Sequence, residues 1–142
     1  MGNESSRSSK GSTDYVELSK RKEKAKSHLC HPDDENNFKL TEITWWYAMV
    51  GSHRIIELTF YCNLCQKRYI IQLDKSTSGK DINYVDHYLV TEGYDGWIYW
   101  DKSPKYKRSY SDVIRIFDNA SGYYNGVTNN CRDFAKYMWD NL

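Results

Sequence analysis

Between residues 44 and 100 the apolar residues fall in short runs of strand length rather than helix length. Thr44-Trp45-Trp46-Tyr47-Ala48-Met49-Val50 is almost unbroken apolar sequence, closed by Gly51-Ser52. His53-Arg54-Ile55-Ile56-Glu57-Leu58-Thr59-Phe60-Tyr61 follows as a second run, so the Gly-Ser pair is expected to turn a hairpin. A third strand, Lys67 to Leu73, ends at Asp74, and Lys75-Ser76-Thr77-Ser78-Gly79-Lys80 reads as loop. Residues 84–100 add further strand around a Gly93–Gly96 turn. Strands do not alternate with helices here, which predicts an antiparallel sheet and the α+β class.

Beyond residue 109 the apolar period lengthens to that of a helix. Val113, Ile116 and Phe117 share one face of a helix over 112–119, with Ser109 or Ser111 as its cap and Gly122 beyond its end. Asn130 then caps a final helix on which Cys131, Phe134, Ala135, Met138 and Leu142 form a stripe. Both helices are expected to pack their stripes on the sheet.

Composition sharpens this picture in two ways. Leu, Ile, Val and Phe are sparse for a core, and thirteen Tyr with five Trp, nearly all after residue 44, must supply the buried area. Residues 1–13 have almost nothing to bury and are expected to be disordered. The division expected is a flexible basic arm, 1–27, followed by a single α+β domain, 28–142. Within the arm Gly2 and Ser6 match the N-myristoylation pattern, and Lys20-Arg21-Lys22-Glu23-Lys24-Ala25-Lys26 supplies a basic cluster. One acyl chain with a nearby basic cluster makes a two-signal anchor, so the expected location is the cytoplasmic face of membranes. The formal net charge of +1 gives no overall drive toward nucleic acid, and none is expected as a partner.

Cysteines carry the candidate chemistry. With no apolar stretch after the start to act as an export signal, four cysteines point to thiols or metal ligands rather than disulfides. Cys62-Asn63-Leu64-Cys65 between two strands has the shape of a zinc knuckle, whose turn aims two thiolates at one ion. Cys30 and His31 would complete a tetrahedral structural zinc site and pin the end of the arm to the sheet. Cys131 stands in the first turn of the last helix, where unsatisfied N–H groups and the helix dipole favour a thiolate.

The segment Tyr124-Asn125-Gly126-Val127-Thr128-Asn129-Asn130-Cys131-Arg132-Asp133-Phe134-Ala135 resembles the Asn-Cys-x-x-Phe helix start of the permuted papain-like superfamily. That superfamily includes the NlpC-type peptidases, the lecithin–retinol acyltransferase-like proteins and the PPPDE-type thiol peptidases. Trp46-Tyr47-Ala48-Met49-Val50-Gly51 and Arg54-Ile55-Ile56-Glu57-Leu58 look like the two strands that carry the base in those proteins. The resemblance implies a circularly permuted papain-like sheet with Cys131 as nucleophile. Counting back from Gly51, the family's base histidine falls on Trp45 or Thr44, neither of which accepts a proton from a thiol. His53 and His87 are the histidines that could take its place, His87 with Asp86 as orienting group.

Two functions follow from this reading. One is a membrane-anchored papain-like module without catalysis that binds a protein or lipid partner, with Tyr94, Trp97, Tyr99 and Trp100 as candidate contact residues. The other is a thiol acyltransferase or hydrolase in which Cys131 attacks an ester or amide and His53 or His87 serves as base.

Overall fold

Period-two alternation sorts the strand residues onto two faces, and only one face receives the described helices. The computed structural model describes residues 17–33, 35–48, 53–86, 97–105, 108–122 and 130–142. Its strands are β1 (Phe38–Ala48), β2 (Arg54–Cys62), β3 (Arg68–Ser76), β4 (Gly79–Val85) and β5 (Trp97–Pro104). They form one antiparallel sheet in the order β4-β3-β2-β1-β5. A helix α1 over 17–27, a 3-10 turn at Glu35–Asn37, and helices α2 (Tyr110–Asn119) and α3 (Cys131–Asn141) complete the described elements. The class is α+β, as the patterning predicts.

Register fixes the rows across the sheet. Leu40↔Phe60, Ile43↔Leu58 and Trp45↔Ile56 join β1 to β2, and Phe60↔Tyr69, Leu58↔Ile71 and Ile56↔Leu73 join β2 to β3. These residues form the face against which the helices lie. From above come Val113, Ile116 and Phe117 of α2 and Phe134, Ala135 and Met138 of α3, all buried in the same cluster. Phe117 meets Phe134 edge to face at 6.0 Å. Each of these side chains except Ala135 contributes about 1.5–3 kcal/mol on burial. The stripes read from the sequence are therefore the surfaces that close the core.

Caps set where the two C-terminal helices begin. Ser109 Oγ accepts from the Asp112 N–H at 3.2 Å to start α2. Asn130 and Asp133 form a reciprocal box at the head of α3, with Asn130 Oδ1 accepting from the Asp133 N–H at 3.0 Å. Cys131 is thereby held in the first helical turn, half-buried.

Two expectations need correction. Residues 75–80 are not a loop: Ser76 pairs with Gly79, and Thr77-Ser78 form a tight two-residue turn between β3 and β4. Gly79 adopts φ +113, a conformation side-chain-bearing residues rarely take, and this lets the chain re-enter the sheet at once. Nor is the basic run a free arm. Residues 17–27 are helical, Ala25 and Leu29 are buried in the core, and three of the five cations turn inward. Arg21 pairs with Asp81 at 2.6 Å, Lys22 with Asp118 at 2.7 Å and Lys26 with Glu35 at 3.5 Å. Gly2, Gly51-Ser52 and the Gly93–Gly96 turn lie outside the described residues.

The β3–β4 hairpin also buries two lysines on the helix face, paired as Lys75↔Lys80. Lys80 Nζ donates to the carbonyls of Phe117, Asp118 and Ala120 at 2.8, 3.1 and 2.7 Å, closing the C-terminus of α2 where the helix dipole favours a cation. Burial outweighs the nearby Asp118 and pushes this ammonium down to about 8. Below pH 8 it is charged in both folded and unfolded chains, and its desolvation weighs on the fold in full. Between about 8 and the ordinary lysine value the folded chain releases its proton first, so this group makes stability rise with pH. Urea titrations of the wild type and Lys80→Met should therefore show a stability difference that shifts toward the wild type between pH 8 and 10; a difference constant over that range contradicts it.

Candidate functional site

Two places bring reactive side chains together, at opposite ends of the sheet. At the first, β2 ends in Cys62 and the chain reverses through Asn63, Leu64 and Cys65. Cys62 N–H donates to Lys67 O and Gln66 N–H to Cys62 O, each at 2.9 Å, so the turn is closed by backbone bonds. Cys65 N–H donates to Cys62 Sγ, 3.4 Å away. Gln66 takes φ +61, the left-handed conformation that turns the chain sharply after the second cysteine.

Cys30 arrives from the other side. After α1, the buried Leu29 fixes the chain to the core and His28 stacks on Tyr84 with ring centroids 4.3 Å apart. Cys30 Sγ then lies 2.8 Å from Cys65 Sγ and 3.5 Å from Cys62 Sγ. The ligand atoms of the three cysteines are all within 4.8 Å of one another, close enough to share one metal ion. Thiolates around a tetrahedral zinc sit roughly 3.8 Å apart, from Zn–S bonds of about 2.3 Å, so small outward shifts would admit the ion. His31 Nδ1 lies 3.1 Å from Cys30 Sγ and adjoins the group through that sulfur. Three of the four residues anticipated from the sequence are thus brought together, and His31 is in contact with Cys30 alone.

The sulfurs are electrically unequal. Sharing a hydrogen with Cys30, and then the Tyr69 hydroxyl 3.5 Å away, brings Cys65 down to about 7. Desolvation, followed by the same contact seen from the other side, pushes Cys30 up to about 11. One proton held between two sulfurs is what a divalent ion would displace.

At the far end of the sheet lies the head of α3. α3 packs on β2 and β3, and Asp133 in its first turn acts electrostatically on Lys75. Tyr47↔Arg54 pair there, with the Arg54 guanidinium 5.3 Å from the Tyr47 ring centre. Continuing the β2–β3 register past Ile56↔Leu73 sets Arg54 beside Lys75. Tyr47, Arg54, Lys75 and Lys80 therefore share one row on the helix side of the sheet.

His53 belongs to the other face. Its Nε2 is 2.7 Å from Asp74 Oδ2, and Asp74 alternates with the core-facing Leu73 and Lys75. Trp45, where the resemblance places the missing base, packs near Trp139 with ring centroids 5.9 Å apart. Trp139 is about 12 Å along the helix from Cys131. His87 lies outside the described residues, as do Tyr94 and the side chains of Trp97, Tyr99 and Trp100.

Sequence reasoning missed Glu57, Lys75 and Lys80. Glu57 is 2% exposed on the reverse face, where its carboxylate accepts from Trp46 Nε1 at 3.1 Å. Alternation along β2 carried the signal, since Glu57 falls between the core-facing Ile56 and Leu58. The lysines carried none, because their segment reads as loop.

No family model, curated protein or solved structure matches the chain. Among the described residues no helix is long and apolar enough to cross a membrane.

The cysteine locus makes a direct prediction. Titrating the metal-free protein with Co2+ should give one equivalent of binding with intense thiolate-to-metal absorption. Cys62→Ser should abolish that band, and a band unchanged by the substitution would place the metal elsewhere.

Proposed function

We propose that this chain is a binding module of permuted papain-like arrangement, held together at one end by structural zinc and carried to membranes by its N-terminal arm. The observation that carries the non-catalytic part is that His53 bonds to Asp74 on the face away from the helices. On the helix side, among the described residues, the row at this end of the sheet carries Tyr47, Arg54, Lys75 and Lys80 and no imidazole. The papain-like part is supported by α3, which starts with Cys131 and packs its stripe across β2 and β3 of an antiparallel sheet. Zinc is supported by the three clustered sulfurs and the adjoining His31, a Cys3His donor set suited to that ion.

A second reading has one observation in its favour. The 2.7 Å bond from His53 to Asp74 is the kind of contact that orients a catalytic imidazole. Thiol acyltransferase or hydrolase activity at Cys131 would then require that imidazole to reach the helix side of the sheet. Alkylation separates the two readings. In the zinc-loaded protein at pH 7, Cys131 should react with iodoacetamide no faster than an ordinary thiol, and His53→Ala should leave the rate unchanged. Rapid selective labelling that His53→Ala slows by roughly tenfold or more would establish the enzyme instead.

Membrane association rests on Gly2, with less help from the basic run than its composition suggests. Arg21, Lys22 and Lys26 are engaged with carboxylates of the domain, leaving Lys20 and Lys24 as the outward cations. The acyl chain must then carry most of the binding, which for one myristoyl group is reversible. Gly2→Ala expressed in eukaryotic cells should move the protein from the membrane fraction to the soluble one, and an unaltered distribution would dismiss the anchor.

A further inference from the structure

A structural zinc accounts for three sulfurs meeting at the knuckle, but not for their unequal access to solvent. Cys62 is fully buried in the core, Cys65 is half-buried and Cys30 is exposed, and all three are free thiols. Oxidants act first on sulfurs that solvent reaches, and the product is captured where a second thiol stands beside the first. Both conditions are met here.

Geometry selects one pair from the three sulfurs. Cys30 Sγ lies 2.8 Å from Cys65 Sγ and 3.5 Å from Cys62 Sγ. A disulfide bond is about 2.05 Å long, so Cys30 and Cys65 have to close by less than about 1 Å. Cys62 is the poorer partner on two counts. The core shields it from an oxidant in solvent, and its Sγ already accepts from the Cys65 N–H at 3.4 Å. Its backbone is held as well, since Cys62 N–H donates to Lys67 O and Cys62 O accepts from Gln66 N–H. Cys30 stands in the turn after α1, outside the strands, and moves toward Cys65 without breaking a ladder bond.

We propose that Cys30 and Cys65 are an oxidant-reactive pair, which a peroxide joins as a disulfide, expelling zinc where it is bound. A peroxide oxygen bonds to the Cys30 sulfur, the O–O bond breaks, and hydroxide departs to leave a sulfenic acid. Cys65 Sγ attacks that sulfur, the S–O bond breaks, and a second hydroxide departs. Both hydroxides take protons from solvent, so two thiolates become one disulfide and one peroxide becomes two waters. Zinc loses two thiolate ligands in the process and dissociates. The end of α1 then stays joined to the knuckle through a covalent bond enclosing residues 30–65. A Cys62–Cys65 bond would instead free Cys30, and with it the end of α1. This assignment deepens the zinc reading of the same locus and rests on it for the metal alone, because joining the sulfurs needs no ion.

The test uses the full chain, zinc-loaded, treated with one equivalent of hydrogen peroxide. Released zinc is followed with a chromogenic chelator, remaining thiols are alkylated, and linked peptides are identified by mass spectrometry. Loss of two of the four thiols, release of the zinc and a Cys30–Cys65 linked peptide are expected, all reversed by dithiothreitol with added zinc. A Cys62–Cys65 link, or oxidation without any cross-link, overturns the pair. The oxidised protein should also melt at a higher temperature than the reduced, metal-free protein, and equal melting temperatures contradict the retained clasp. A chain that takes up no zinc yet forms the Cys30–Cys65 link removes the zinc reading and upholds the pair. Zinc binding with no link on oxidation removes the pair and leaves the zinc reading standing.

Discussion

The seating of the α3 stripe on β2 and β3 is the contact on which the remaining structure depends. Phe134, Ala135 and Met138 enter the same buried cluster as Ile56, Leu58, Ile71 and Leu73, and this fixes both the height and the rotation of the helix. The capping box at Asn130 and Asp133 then determines where its first turn falls. Once both are set, the place of Cys131 in the first helical turn is set with them.

The two ends of the sheet solve different physical problems. At the knuckle end the problem is attaching a short helix to the sheet, and the buried Ala25 and Leu29 bring Cys30 to Cys62 and Cys65. At the α3 end the problem is burying lysines. Lys80 is met by the carbonyls of α2, turning an expensive group into a helix clamp. Lys75, buried beside it, is shifted downward by desolvation, with Asp133 acting in the opposite direction. The reverse face adds a third polar element, Glu57 under Trp46, so neither side of the sheet is a purely apolar surface.

Much of this was legible in the chain. Strand runs at 53–61 and 67–73 mark β2 and β3, while the run from Thr44 marks only the second half of β1, which starts at Phe38 in a stretch whose mixed polar residues left no clear signal. The helix over 112–119 and the cap at Asn130 are equally plain. The cysteine cluster was legible from spacing alone, since a tight turn forces Cys62 and Cys65 to one side and Cys30 was the nearest remaining thiol. The β3–β4 turn was hidden because Lys75-Ser76-Thr77-Ser78-Gly79-Lys80 has the composition of a solvated loop. Its strand character comes from ladder bonds to partners the local sequence cannot name. The docking of α1 was hidden for a similar reason: its anchors are two small apolar residues and three ion pairs with distant carboxylates.

Local sequence by itself determined the elements, the caps, the apolar stripes and the turn that gathers two sulfurs, because each depends on residues close together in the chain. The tertiary structure decided which face each strand residue looks toward, that His53 would bond to Asp74 away from α3, and that Lys75 and Lys80 would be buried side by side on the helix face. Those outcomes depend on strand register, and a shift of one residue exchanges every side chain between the two faces. Register is set by the sum of pairings over the whole sheet, so no single motif could have disclosed it.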